Sequence, residues 1–293
     1  MPDQAEKPKR GRPRKMPAAP AGGTVLALER GLVVLEALAK LQSATLGDLA
    51  SRVHMPASTV YRILGTLQKH GFADFEPDRQ HWAVGVGAFR IGSAYLLRSN
   101  LIEASIKVMR SLMQLTGETA NLGIAEGGSI VFVSQVETTN PIRAMFRQGT
   151  GSPMHASGIG KAMLASLPRP EVEKQLATFG QPAFTPHTLT TPDALLADLD
   201  TIAARGWALD NEERYIGMKC VAVAVFDAHG KAIAGLSVSG PSSRFTDEMI
   251  RHTGPGLVEA ADALMEMIGG ARPNSGVYSG ALRHSGERGG GPR

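Results

Sequence analysis

Cysteine is almost absent: Cys220 is the only one in 293 residues. A lone thiol cannot close an internal disulfide, so a packed core must hold the fold. Long apolar runs are also missing. A membrane helix needs about 18 to 20 consecutive apolar residues, and runs such as 31–35 are soon broken by charge. No Cys or His pairs stand at zinc-ligand spacing, and no internal repeat is visible. Residues 1–15 are basic and contain prolines, without the apolar stretch of a signal peptide. These absences predict a cytoplasmic, reduced protein with no membrane partner, no metal and no cofactor. What is present, 43% apolar and 20% charged residues, fits a globular chain of about two domains.

The charge is unevenly spread. Residues 1–15 carry +4 and residues 271–293 carry +3, whereas residues 101–270 carry −5. Such an asymmetry assigns any polyanion to the N-terminal part and a separate task to the larger acidic part. Residues 1–23 and 271–293 have little to bury and are expected to be disordered tails.

Residues 24–84 read as three short helices and a hairpin. The first helix is expected over 25–39, with Leu28, Leu32, Leu35 and Ala39 as its apolar face. Thr45, with Asp48 three residues on, is a good N-cap for a second helix carrying Leu46, Leu49, Ala50 and Val53. A third starts near Pro56, repeats the pattern at Val60, Ile63, Leu64 and Leu67, and stops at Gly71. Strands 72–75 and 81–84 complete a winged helix-turn-helix. Its third helix exposes Ser58, Thr59, Tyr61, Arg62, Thr66 and Lys69. Hydroxyls there can reach phosphates, and Arg62 can pair with guanine. A protein-contact module fits the periodicity equally well, because residues 24–84 are charge-neutral.

The tail favours DNA. Residues 10–15 read RGRPRK, and an extended Arg-Gly-Arg-Pro segment suits a narrow minor groove. The segment resembles an AT-hook, with Arg10, Arg12 and Arg14 as its contacts.

Residues 87–115 are expected to be helical, with 85–100 as an interdomain linker. Beyond lies an α+β domain over 101–270. Strands are expected at 119–125, 129–137, 142–146, 207–210, 220–226 and 233–239, and helices at 158–167, 170–177, 192–204 and 247–268. The string Gly158-Ile159-Gly160-Lys161 mimics a phosphate loop, but His155 and Ala162 stand where Gly and Ser or Thr are required. A Cys220 nucleophile with His155 or His187 as base lacks a third orienting group.

Taken together, ALERGLVVLEAL, TLGDLASRVHMPASTVYRILGTLQKHGF, PMHASGIGKAMLA, ALDNEERYIGMKCVAVAVFD and SVSGPSSR resemble the IclR family of bacterial transcription regulators, over residues 24–269. The resemblance implies a winged helix-turn-helix, a linker helix and a GAF-like effector domain, acting on operator DNA as a homodimer or as a homotetramer built of two dimers. Members that sense small carboxylates such as glyoxylate or pyruvate hold the acid with backbone amides, a Cys, two Ser and an Asp. Here these correspond to the amides of Gly158 and Ile159, with Cys220, Ser237, Ser239 and Asp210. The residue pattern agrees, since Ser237 and Ser239 share one strand face and free amides at a helix start favour anions. Ile142, Ala144 and Met145 would supply an apolar wall. Plainer readings stay open: a packed Cys220, solvent-facing serines, a surface turn at Asp210, Glu212 and Glu213, and a locally packing His155. Two functional alternatives also stand, an enzyme acting on a small carboxylate and a regulator of aromatic catabolism with a larger effector.

Overall fold

The computed structural model describes residues 24–96 and 100–273, with 93–96 described by backbone alone. The chain divides into two compact units at Leu97 and Arg98. The fold is α+β in both, with a small three-stranded sheet in the first and a six-stranded sheet in the second.

In the first unit, helix α1 spans Leu26–Leu41, α2 Leu46–Val53 and α3 Ala57–Lys69. A reciprocal capping box starts α2: the Thr45 hydroxyl accepts the Asp48 amide at 3.2 Å, and the Asp48 carboxylate accepts the Thr45 amide at 3.3 Å. His54, in the left-handed region at φ 52°, ends it. Strands β1 (Ser43–Ala44), β2 (Ala73–Glu76) and β3 (His81–Val84) pair in the order β1-β3-β2 and form the wing. The core gathers Leu49, Val60, Leu64 and Trp82.

The buried face of α1 departs from expectation. Val34, Ala37 and Leu38 are buried, whereas Leu28 and Leu32 are exposed. Both sets have helical spacing in a helix with apolar residues on more than one face, so periodicity alone could not choose between them. The expected helix over 87–115 corresponds to α4 (Val86–Leu96) and α5 (Asn100–Thr116), with 97–99 outside the described residues.

The second unit is built on an antiparallel sheet of β4 (Thr119–Glu126), β5 (Ser129–Val136), β6 (Gly151–Pro153), β7 (Ala208–Asn211), β8 (Met218–Phe226) and β9 (Ala232–Pro241). Its order is β6-β5-β4-β9-β8-β7. Helix α6 (Gly158–Leu164) packs on β8 and β9. Val221, Val223 and Val225 alternate away from Cys220 and Ala222 and are fully buried, covered by α9 (Asp247–Ile268). Between α6 and β7 lie α7 (Arg169–Phe179) and α8 (Pro192–Arg205).

One expected strand is absent. Residues 142–146 form no strand, and the edge position beside β5 belongs to β6. Ile142 and Met145 are exposed, so the alternation there does not mark a sheet face. Among the described residues, no helix is long and apolar enough to cross a membrane.

Candidate functional site

Two surfaces carry the chemistry, one in each unit. On α3, burying Val60 and Leu64 leaves Ser58, Tyr61, Arg62, Thr66 and Lys69 exposed, with Thr59 half-buried. The Thr66 hydroxyl donates to the Arg62 carbonyl at 3.0 Å and so stays close to the helix axis. Arg10, Arg12 and Arg14 lie outside the described residues.

In the second unit, strand register assembles a polar row. Asp210 pairs with Cys220, Cys220 with Ser239, and Ser239 with Thr119, across β7, β8, β9 and β4. The next row sets Ala222, Ser237 and Asn121 side by side. Directly paired antiparallel residues share a face, so Ser237, Ser239 and Cys220 converge. Both serines are buried, and the Asn121 amide donates to the two hydroxyls at 3.3 and 3.4 Å.

Helix α6 closes the site from above. A 3-10 turn, Met154–Ala156, leads into Ser157, whose hydroxyl accepts the Gly160 amide at 3.0 Å. Among the described residues, the amides of Gly158 and Ile159 meet no acceptor; these are the unmet donors of a helix's first turn. The close fit explains the glycines: a Cβ on Gly158 would meet Cys220 Sγ at 3.0 Å and Ala222 at 3.1 Å, and one on Gly160 would collide with the Met154 backbone.

All six residues proposed from the sequence, Gly158, Ile159, Asp210, Cys220, Ser237 and Ser239, border one cavity. Its apolar wall comes from Phe132 and Phe146, stacked at 4.5 Å, rather than from Ile142, Ala144 and Met145. The cavity volume is about 20 Å³, room for about one water molecule as the side chains stand.

Asp210 and Glu213 are buried, not part of a solvated turn. Burial first, and then the charge of Glu213, push the Asp210 carboxyl up to about 7, against the opposing pull of the Glu213 amide, Lys161 and the Arg214 amide. The Glu213 amide donates to Asp210 at 2.8 Å. Burial likewise raises Glu213, opposed by Lys161. It also lifts the thiol of half-buried Cys220 to about 12, which favours its protonated form. His155, lowered by burial, meets the Pro182 carbonyl at 3.1 Å and stacks on Phe184. Among the described residues, no cluster of metal-ligating side chains occurs.

Lys161, noticed in the sequence only as a false phosphate-loop lysine, is fully buried. Its ammonium donates to Asp198 at 2.7 Å, to the Leu209 carbonyl at 2.6 Å and to Glu213 at 2.6 Å. It ties α6 to α8 and to the strand bearing Asp210. The sequence reading also missed Asn121, Ser157 and Arg214, whose roles depend on partners on other segments.

A helix-turn-helix unit with a wing, followed by a GAF-like unit with a small cavity, defines a DNA-binding transcription regulator. Family profiles make the assignment: residues 27–77 match the IclR helix-turn-helix domain and residues 93–266 match the bacterial transcriptional regulator IclR C-terminal domain. The chain belongs to the IclR family. It is 46% identical over 259 residues to the HTH-type transcriptional regulator BhcR of Paracoccus denitrificans, covering 87% of this chain and 93% of that protein. It is 38% identical to the acetate operon repressor of Salmonella typhimurium, covering 90% and 97%. The crystal structure of the Thermotoga maritima IclR superposes with a TM-score of 0.69 at 29% identity, covering 84% of this chain and all of that one. These relatives are named as regulators and repressors, and the chain is a regulator rather than an enzyme.

Proposed function

We propose that this regulator is controlled by a small carboxylate, glyoxylate first and pyruvate second, bound in the cavity of the second unit. The carrying observation is the convergence on one small cavity of two unmet amides, two buried hydroxyls, a protonated thiol and a carboxyl titrating near neutrality. The Gly158 and Ile159 amides meet the acid, Ser237, Ser239 and Cys220 border it, and Asp210 in its neutral form donates to it. The acetate operon in one relative's name is consistent with this chemistry.

Operator DNA is met by α3 through Ser58, Thr59, Tyr61, Arg62 and Thr66, while Arg10, Arg12 and Arg14 enter the minor groove. The winged unit covers 24–84, a linker 85–100 and the effector domain 101–270, with tails on either side, in a cytoplasmic protein. Leu28 and Leu32 on α1 and Ile91 on α4 are exposed apolar residues suited to a second copy, in a dimer or a dimer of dimers.

The test is calorimetric titration of the full chain with glyoxylate and pyruvate, with and without DNA from upstream of its gene. Saturable binding whose affinity shifts with DNA is expected, since effector and operator must bias each other reciprocally. Ser237→Ala with Ser239→Ala should abolish the response while operator binding survives. A retained response would place the effector elsewhere.

A further inference from the structure

Arg214 borders the cavity, and its guanidinium is separate from the backbone amide that serves Asp210. It follows buried Glu213 in the turn between β7 and β8 and is only partly exposed. Its guanidinium lies 3.8 Å from the ring centroid of Phe184 and 5.2 Å from that of Tyr215. Stacking holds the guanidinium by its faces and leaves the N–H donors at its edge. Nε is buried and meets no acceptor. Among the described residues, no carboxylate pairs with this cation.

Of the neighbouring cations, Lys161 is held by Asp198 and Glu213. Lys219 also borders the cavity and forms no ion pair among the described residues; its charge only helps to lower the half-buried Glu212, and a flexible ammonium lacks the planar donor edge of Arg214. The remaining donors are neutral amides, hydroxyls and a thiol, and Asp210 and Glu213 add acidic groups. An anion entering such a cavity needs a positive charge that no other group has satisfied, and a planar, pre-ordered guanidinium matches a carboxylate.

We propose that Arg214 is the specificity-determining residue of this cavity, supplying the charge that selects a short oxo or hydroxy acid over its neutral isostere. This rests on the effector reading above and adds to it the group that reads the ligand's charge.

The test is calorimetry on the full chain with glyoxylate, pyruvate and the neutral pyruvamide. Wild type should bind both acids and reject pyruvamide. Arg214→Gln should weaken both acids by about tenfold to a hundredfold and remove the preference over pyruvamide. Arg205→Gln is the control: it removes a comparably stacked arginine, 3.8 Å over Trp207, that does not border the cavity. Its acid affinity should change by less than about twofold. Acid binding by Arg214→Gln at wild-type strength overturns the arginine's role alone, whereas a wild type silent to both acids overturns the effector reading and this inference with it. If Arg214→Gln does not fold, the neutral Arg214→Met decides: weaker acid binding with the acid-over-amide preference lost supports the role, and wild-type acid affinity refutes it.

Discussion

Asp210 shows how a single carboxyl sets a pH dependence. Its ordinary value is 3.8, and in the fold burial raises it to about 7. Between these values the unfolded chain releases the proton and the folded chain keeps it, so stability falls as pH rises from about 4 to about 7, and the penalty is complete above that. Glu213, Lys161 and the amides of Glu213 and Arg214 face the group, and Asn in its place keeps an acceptor for an amide while removing the ionisation. Asp210→Asn is therefore expected to stabilise the chain by about 2 to 4 kcal/mol at pH 8 and little at pH 4. Urea unfolding at both pH values tests this, and an equal difference at the two would show that burial of charge is not the cause. Ser237 and Ser239 could be set on one face from strand alternation, whereas Asp210 and Cys220 came only from the family motif, since an acidic cluster and a lone cysteine carry no periodic signal. Asn121 and Arg214 could not: Asn121 meets serines more than a hundred positions away, and Phe184 reaches Arg214 from another segment.

Elements are fixed by contacts that periodicity records unequally. The bounds of β3 and α9 follow from pattern and capping residues, and Thr45 opens α2 as its sequence implies. Residues 142–146 misled because apolar alternation occurs without a partner strand, β5 having taken β6. Helix α6 is held by Lys161, a buried cation with two carboxylate partners of which Glu213 is the more buried. Replacing it by Met leaves Glu213 and Asp198 without their counter-charge, and Lys161→Met should cost about 3 to 5 kcal/mol. It should also weaken acid binding, since Gly158 and Ile159 ride on the same helix; stability within 1 kcal/mol of wild type, about the worth of an exposed pair, would show that the network adds little. On α3, Arg62 is exposed with no ion pair among the described residues. Arg62→Ala is expected to cost about 1 to 3 kcal/mol on the operator and much less on unrelated DNA of equal length. Equal losses on both, by fluorescence anisotropy, would make it a phosphate contact.

At the scale of the whole molecule, charge separates tasks that the two units divide between them. The recognition unit, 24–84, is neutral and residues 101–270 are negative, so neither attracts a polyanion strongly by net charge alone. The long-range attraction must come largely from the tails, and residues 1–15 alone hold six basic side chains against two acidic ones. Each phosphate neutralised on duplex DNA contributes about 0.9 to the slope of log affinity against log salt. If Arg10, Arg12 and Arg14 each meet a phosphate or line the minor groove, deleting residues 1–15 should lower that slope by about 2 to 3 and weaken binding most at low salt. The response to acid should survive, because every residue bordering the cavity lies at or beyond Phe132. Anisotropy titrations of the operator from 50 to 200 mM salt read both quantities, and an unchanged slope would mean that the basic arm stays off the DNA and that α3 and the wing alone hold the operator.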